Sequence, residues 1–310
     1  MQKIYCVTPL YNDWQSCSVL VNKIKQLENT HSEFIFNIVI VNDGSVTFPE
    51  DAVLFSENVK IINLKVNVGH QRAIAVGLQY VYNEVNDYDM VIVLDSDGED
   101  RPEDIPLLLK KCTESNTIVF AERKKREESQ LFKAGYFLYK KLFKLLTGQR
   151  ISFGNYSAIP SAYLKKTVAL NNIWNHYSGA IMHSRLPYDK ILIDRGKRYS
   201  GTSKMNFNSL VLHGLSSIAV YFDSISVRIL KFSIYGMLIC FVGVIYILFQ
   251  KLFTDNAIPG WASSLILIIS GIIVQLFSVT LIVLLLQLSS RKNTDSPNTK
   301  KYLDYIDDIQ

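Results

Sequence analysis

The sequence predicts an α/β domain built on a mostly parallel sheet, followed by two membrane-crossing helices. Three observations lead there. Short apolar runs alternate with helical patterns over roughly the first 120 residues, the signature of strand–helix–strand units. These runs stop in polar turns rich in Asn, Asp and Gly, and in such sheets ligands bind at the carboxyl ends of the strands. The hydrophobic share is 48% beside 20% charged residues, and the apolar excess lies mostly beyond residue 228.

Lys3–Thr8 reads as a first strand, closed by Pro9-Leu10-Tyr11-Asn12-Asp13 and followed by a helix around Trp14–Glu28. Phe34–Val41 is a second strand, ending in Asn42-Asp43-Gly44-Ser45. Val59–Leu64 is a third, ending near Asn67-Val68-Gly69-His70, with a helix over Gln71–Tyr82. Met90–Leu94 is a fourth, a helix fits between Asp104 and Thr113, and Thr117–Phe120 starts another strand. Each polar turn alone is ordinary loop chemistry. Four of them converging on one sheet edge read as a site.

The fourth turn carries the most charge. An apolar run, Met90–Leu94, stops in Asp95, Asp97, Glu99, Asp100, Glu103 and Asp104. Carboxylates this close repel unless a cation sits among them, and D-x-D spacing supplies oxygen ligands for Mg²⁺ or Mn²⁺ that also holds a diphosphate. The bland alternative is a solvated loop in which Glu103 or Asp104 caps the next helix, with Pro106 in its first turn. At the other turns, Asp43 can accept hydrogen bonds from a nucleobase or ribose, and Tyr11 can pack on a base. Gly69 and His70 put backbone N–H groups at a helix start, which suits negative charge.

Two basic stretches follow. Glu122–Glu128 is a mixed charge run, a solvated loop or one that closes over phosphates. Arg195–Lys204 gathers cations with Ser and Thr donors, a composition that suits an anion. Between them, Leu131–Leu146 reads as an amphipathic helix, lying on a membrane surface or packed on the core. The net charge of +5 is too modest to argue for nucleic acid; membrane headgroups are the better partner. Cys6, Cys17, Cys112 and Cys240 show no metal spacing and are expected reduced and buried, as in cytosol. Lys3–Thr8 leads straight into a strand without a cleavage pattern, so no secretory signal is expected there.

Phe232–Phe249 and Ile258–Leu288 are uncharged and meet the ~20 apolar residues of a bilayer crossing. Arg228 and Lys231 precede the first; Arg291, Lys292, Lys300 and Lys301 follow the second. The positive-inside rule then puts both termini in the cytoplasm. The segment after Arg291 is polar and expected to be poorly ordered.

The order TPLYND, VNDGS, NVGHQRAIAVGL, LDSDGEDRPEDIP, ERKKREE, RYSGTSK and then two spans resembles the polyprenyl-phosphate glycosyltransferases of family 2, the GT-A-fold group that includes dolichyl-phosphate mannose synthases and bactoprenol glucosyltransferases. The resemblance covers essentially the whole chain. It implies donor-nucleotide binding by Pro9, Tyr11, Asp13, Asp43 and Asp95, and metal binding (Mg²⁺ or Mn²⁺) by Asp95 and, chiefly, Asp97. It implies acceptor-phosphate binding by Arg198, Ser203 and Lys204, with Arg123 and Arg126 in a nearby mobile loop, and Asp97, Arg198 and Lys204 as the catalytic set. A cytoplasmic catalytic domain over 1–206, a juxtamembrane amphipathic helix over 207–228, a transmembrane hairpin over 229–290 and a cytoplasmic polar tail over 291–310 follow, in a homo-oligomer at the plasma (inner) membrane. The expected reaction is inverting transfer of a sugar, glucose or a relative, from a nucleotide-diphosphate sugar to undecaprenyl phosphate. The alternatives are transfer to a hydroxyl of a lipid-linked saccharide, or a non-catalytic membrane scaffold. Two departures stand out: Asn155 where an aspartate is often proposed as base, and no proline ahead of Arg228.

Overall fold

The computed structural model describes residues 1–123, 141–149, 153–200, 214–254, 260–292 and 296–310. Its contacts divide the chain into two compact units, one over Met1–Lys141, Arg150–Val220 and Ser296–Gln310, the other over Leu142–Gln149 and Tyr221–Asp295.

The first unit is a sheet with helices on both faces. Its strands are β1 (Gln2–Leu10), β2 (Phe34–Asn42), β3 (Val59–Leu64), β4 (Met90–Val93), β5 (Ile118–Arg123), β6 (Phe153–Pro160), β7 (Tyr188–Ile193) and β8 (Ile306–Ile309). Their order across the sheet is β7-β5-β6-β4-β1-β2-β3-β8. The block β4-β1-β2-β3 is parallel, as the alternation of strands and helices requires. Alternate residues of these strands enter opposite cores. Ile4, Cys6, Ile38, Ile40 and Ile92 face α1 (Trp14–Thr30) and α3 (Ile105–Ser115), while Val7, Val39, Val41, Val91 and Val93 face α2 (His70–Glu84), α4 (Ser161–Val168) and α5 (Tyr177–Ser184). Burial on both faces explains why the runs are continuously apolar.

The sheet departs from the sequence reading at β6, at β7, which pairs parallel with β5, and at the C-terminus. β6 runs antiparallel between β4 and β5. Its sequence, Phe153–Pro160, contains Gly154 and Asn155 and carries no clean alternation, so no strand was expected there. The third departure is the C-terminus. Instead of a poorly ordered tail, Lys301–Asp304 forms a helical turn and β8 pairs antiparallel with β3. The reason lies in α2. The buried Gln79 donates to Val168 O (3.2 Å) and Asn298 O (2.8 Å) and accepts from Tyr302 N–H (3.0 Å), and Asn83 donates to Thr299 O at 2.7 Å. Tyr302 is 1% exposed, its hydroxyl on Glu84, and Tyr305 stacks on Trp174. An edge strand of β3 is thereby covered by the chain itself. Cys6, Cys17 and Cys112 are buried as expected; Cys240 is partly exposed.

The second unit holds α6 (Phe222–Phe253) and α7 (Trp261–Lys292), apolar helices of mean hydropathy 2.4 and 2.6 over their best windows, with 11% and none of those windows buried. By length and composition both are candidate membrane spans. α6 starts at Phe222, so the helix of the first span absorbs the end of the expected juxtamembrane element; residues 207–213 lie outside the described residues. Arg228 donates to Leu145 O at 2.6 Å, at the end of the helical residues 141–147, where a cation suits the exposed carbonyls.

Candidate active site

The carboxyl ends of β1–β4 bring the four polar turns together. Asp43 N–H donates to Leu10 O (2.8 Å) and Asn12 N–H to Ser45 Oγ (2.8 Å); in return Val46 N–H donates to Asn12 Oδ1 (2.9 Å). Gly44 has φ +69°, and a Cβ there would lie 2.6 Å from Asn67 N, so the second turn can lie on the third only as glycine. The Asp43 carboxylate accepts from Val68 N–H (2.7 Å) and Gly69 N–H (3.0 Å) and is 3% exposed. Burial raises its pKa and those two donors oppose the rise. Asp43 thus shapes the turn that starts α2. Tyr11 is 44% exposed at the rim. Asp13 is half-buried at the start of α1 without a side-chain capping bond. The Pro9 carbonyl accepts from Ser96 Oγ at 3.4 Å, tying the first turn to the fourth.

The fourth turn is bound differently. Asp97 Oδ2 accepts from Arg198 Nη2 at 2.5 Å and its Oδ1 from Glu99 N–H at 2.9 Å. Glu99 gathers three guanidiniums: Arg195 (2.5 Å), Arg198 (3.3 Å) and Arg123 (3.4 Å). Asp100, 4% exposed, accepts from Asp95 N–H (3.0 Å) and from Arg123 Nη2 (3.4 Å). Asp95 Oδ1 lies 3.2 Å from His70 Nε2. Asn155, on β6, reaches the same imidazole at 3.1 Å and accepts from Gln71 at 3.3 Å.

The electrostatics follow from this crowding. Burial, then the Asp95 charge, pushes Asp100 up to about 7 even with Arg123 beside it. Asp97 is raised by burial and by Asp95. Burial works upward on Glu99 too, but Arg195, with Arg123 and Arg198, holds its carboxyl below the usual range. His70 is pulled down by its surroundings and up by Asp95, and the net direction is up. Carboxylates that hold one another's protons mark an excess of negative charge. A hard oxygen donor set with that excess fits a divalent cation. Among the described residues, however, no three carboxylate, imidazole or thiol groups surround one point: Asp97 is turned onto Arg198 and Asp95 onto His70.

The structure therefore brings Asp95, Asp97, Arg123 and Arg198 together and places Pro9, Tyr11, Asp13 and Asp43 on the adjoining turns. Arg126, Ser203 and Lys204 lie outside the described residues. The sequence reading placed Glu99 in the acidic turn and Arg195 in the basic stretch but gave neither a role of its own. The signal was present as opposite charges in two stretches, but nothing in it said which would meet. Asp104 makes no side-chain cap for α3, although Pro106 does sit in its first turn.

A model of glycosyl transferase family 2 matches residues 5–168, from β1 through α4. The chain is 26% identical over 291 residues to the protein called "Uncharacterized glycosyltransferase YkcC" of Bacillus subtilis (strain 168), covering 88% of this chain and 85% of that one. It is 25% identical over 281 residues to the undecaprenyl-phosphate 4-deoxy-4-formamido-L-arabinose transferase of Klebsiella pneumoniae (strain 342), covering 85% and 80%. Among solved structures, glucosyl-3-phosphoglycerate synthase from Mycobacterium tuberculosis, in complex with Mn²⁺, UDP and phosphoglyceric acid, aligns with a TM-score of 0.51 at 12% identity, over 72% of this chain and 78% of that one. At that identity the likeness carries the fold alone, which is GT-A.

Proposed function

The chain belongs to glycosyltransferase family 2, and from that premise we propose that it transfers a hexose, glucose or a relative, from a nucleotide-diphosphate sugar to polyprenyl phosphate at the cytoplasmic membrane face, with inversion. The observation that carries this reading is the abutment of an acidic turn (Asp95, Asp97, Asp100) and three arginines (Arg123, Arg195, Arg198). Such a site has a place for a cation and, beside it, a place for an anion.

A divalent cation, Mg²⁺ or Mn²⁺, held by Asp95 and Asp97, would supply charge neutralisation to a leaving diphosphate. The rest falls to the chain's own groups. Asp43 takes the Val68 and Gly69 N–H groups and so fixes the turn that starts α2. Tyr11 offers a face to the base. The arginines, with Ser203 and Lys204, orient the acceptor phosphate toward the anomeric carbon. Asn155 supplies no carboxylate, and a phosphate acceptor needs none: its second pKa is about 6, so it is already anionic at neutral pH. A sugar hydroxyl would need a base.

The membrane setting draws support from α6 and α7 and from the sheet: β1 and β8 belong to it together, which fits an even number of crossings between them. With the Lys and Arg bias, this supports a topology in which both termini are cytoplasmic and residues 254–259 lie outside. Labelling of a cysteine at position 256 in intact cells is expected; labelling only after lysis contradicts the topology. The reaction itself is tested with membranes, undecaprenyl phosphate and a panel of radiolabelled nucleotide sugars. Label entering a polyprenyl-phosphate sugar supports the reading; label entering only a lipid-linked saccharide transfers the assignment to a hydroxyl acceptor.

A further inference from the structure

Asp97 already has a cation, and it is Arg198. The guanidinium bridges two carboxylates, Asp97 through Nη2 (2.5 Å) and Glu99 through Nε (3.3 Å). The bridge is seated by the backbone. Tyr199 N–H donates to Asp97 O and Gly196 N–H to Glu99 O, both at 2.9 Å, so residues 196–199 run along 97–99. That approach needs glycine on both sides. A Cβ on Gly196 would lie 2.1 Å from Gly98 O, and one on Gly98, where φ is +89°, would lie 2.8 Å from the Tyr199 ring. Arg195 and Arg123 hold the other Glu99 oxygen, so the seat stays charged if Arg198 leaves.

We propose that Arg198 is the resting counter-ion of the metal position, and that arrival of a divalent cation with its nucleotide diphosphate at Asp97 releases Arg198 to an acceptor phosphate. This rests on the reading above, because it takes Asp97 as a metal ligand. Arg198 and a divalent cation carry like charge and compete for the same carboxylate, whose other oxygen already accepts from Glu99 N–H. The displaced arginine needs a new anion, and a phosphate offers its planar fork a bidentate partner. The two binding events are therefore linked, and linkage acts in both directions. A static ion pair that only fastens residues 196–199 is the competing account.

The test uses the full-length protein in detergent micelles and Mn²⁺ binding, followed by calorimetry and by electron paramagnetic resonance without nucleotide. Arg198→Gln is expected to tighten Mn²⁺ by roughly tenfold or more. Arg195→Gln removes the same charge from Glu99, not from the Asp97 carboxylate that Arg198 pairs with, and is expected to change Mn²⁺ affinity less than about threefold. In the wild type, affinity for a short-chain prenyl phosphate rises when Mn²⁺ and UDP are present, and Arg198→Gln abolishes that rise. If Arg198→Gln does not fold, Arg198→Met, which also removes the charge, is measured in its place with the same expected direction. Equal or weaker Mn²⁺ binding by the Arg198 variant, or equal tightening by Arg195→Gln, overturns the proposal. Absence of Mn²⁺ binding in every form overturns the metal assignment beneath it.

Discussion

The turns after β1, β2 and β3 and the turn after β4 sit at one sheet edge but are held by different forces. The first three are tied to each other by backbone N–H groups that donate to the side chains of Asp43, Asn12 and Ser45. The fourth is tied by ion pairs to Arg123, Arg195 and Arg198. The difference teaches what each can do. A buried carboxylate spent on backbone donors has no ligand that could replace them, so that half is a preformed scaffold. An ion pair can be exchanged for ligands of matching charge, so the other half is where substrates can rearrange the protein.

Asp97→Ala tests the exchangeable half and carries the largest expected effect. Transfer should fall by roughly 10²–10³-fold or more, while circular dichroism and insertion into membranes stay as in the wild type. Turnover by the wild type that survives EDTA would sink the metal assignment. The scaffold half should respond in stability instead. Asp43→Ala leaves two backbone N–H groups without their acceptor and should cost about 2–4 kcal/mol in thermal or denaturant unfolding. Asp43→Asn, which keeps one acceptor oxygen, should lose less.

Asp100 gives the comparison a pH axis. Its folded-state pKa of about 7 lies above the unfolded value near 3.9. The proton it keeps on folding favours the native state fully below the unfolded pKa, and that contribution is lost as pH rises through about 7. In EDTA, the melting temperature of the wild type should therefore decline between about pH 4 and pH 7 relative to Asp100→Asn. Parallel curves would show that Asp100 is ionised throughout. The smallest effect is expected far from both halves: Tyr302→Phe removes only the hydroxyl bond to Glu84 and should lower stability by about 1 kcal/mol, seen as a modest shift in melting temperature with transfer unchanged.

Much of the site was readable as a list of residues. Apolar runs ending in Asn, Asp and Gly placed Pro9–Asp13, Asp43, Gly69-His70 and Asp95–Asp97 at strand ends, because periodicity reports burial and parallel order puts those ends together. Two uncharged stretches defined α6 and α7 by length alone. What the sequence could not decide was pairing. The antiparallel insertion of β6 brings Asn155 to His70 across 85 positions of chain, and β8 meets β3 only because Gln79 and Asn83 on α2 hold the segment before it. A polar tail with five apolar residues, Tyr302, Leu303, Tyr305, Ile306 and Ile309, has too little pattern to name its partner. The same holds for charge. The sequence by itself determined that a carboxylate turn and a basic stretch exist, since composition is local. Only the tertiary structure decided that Arg198 faces Asp97 and Arg195 faces Glu99, because an ion pair is set by distance in space, and residues nearly a hundred positions apart acquire that distance only through the fold.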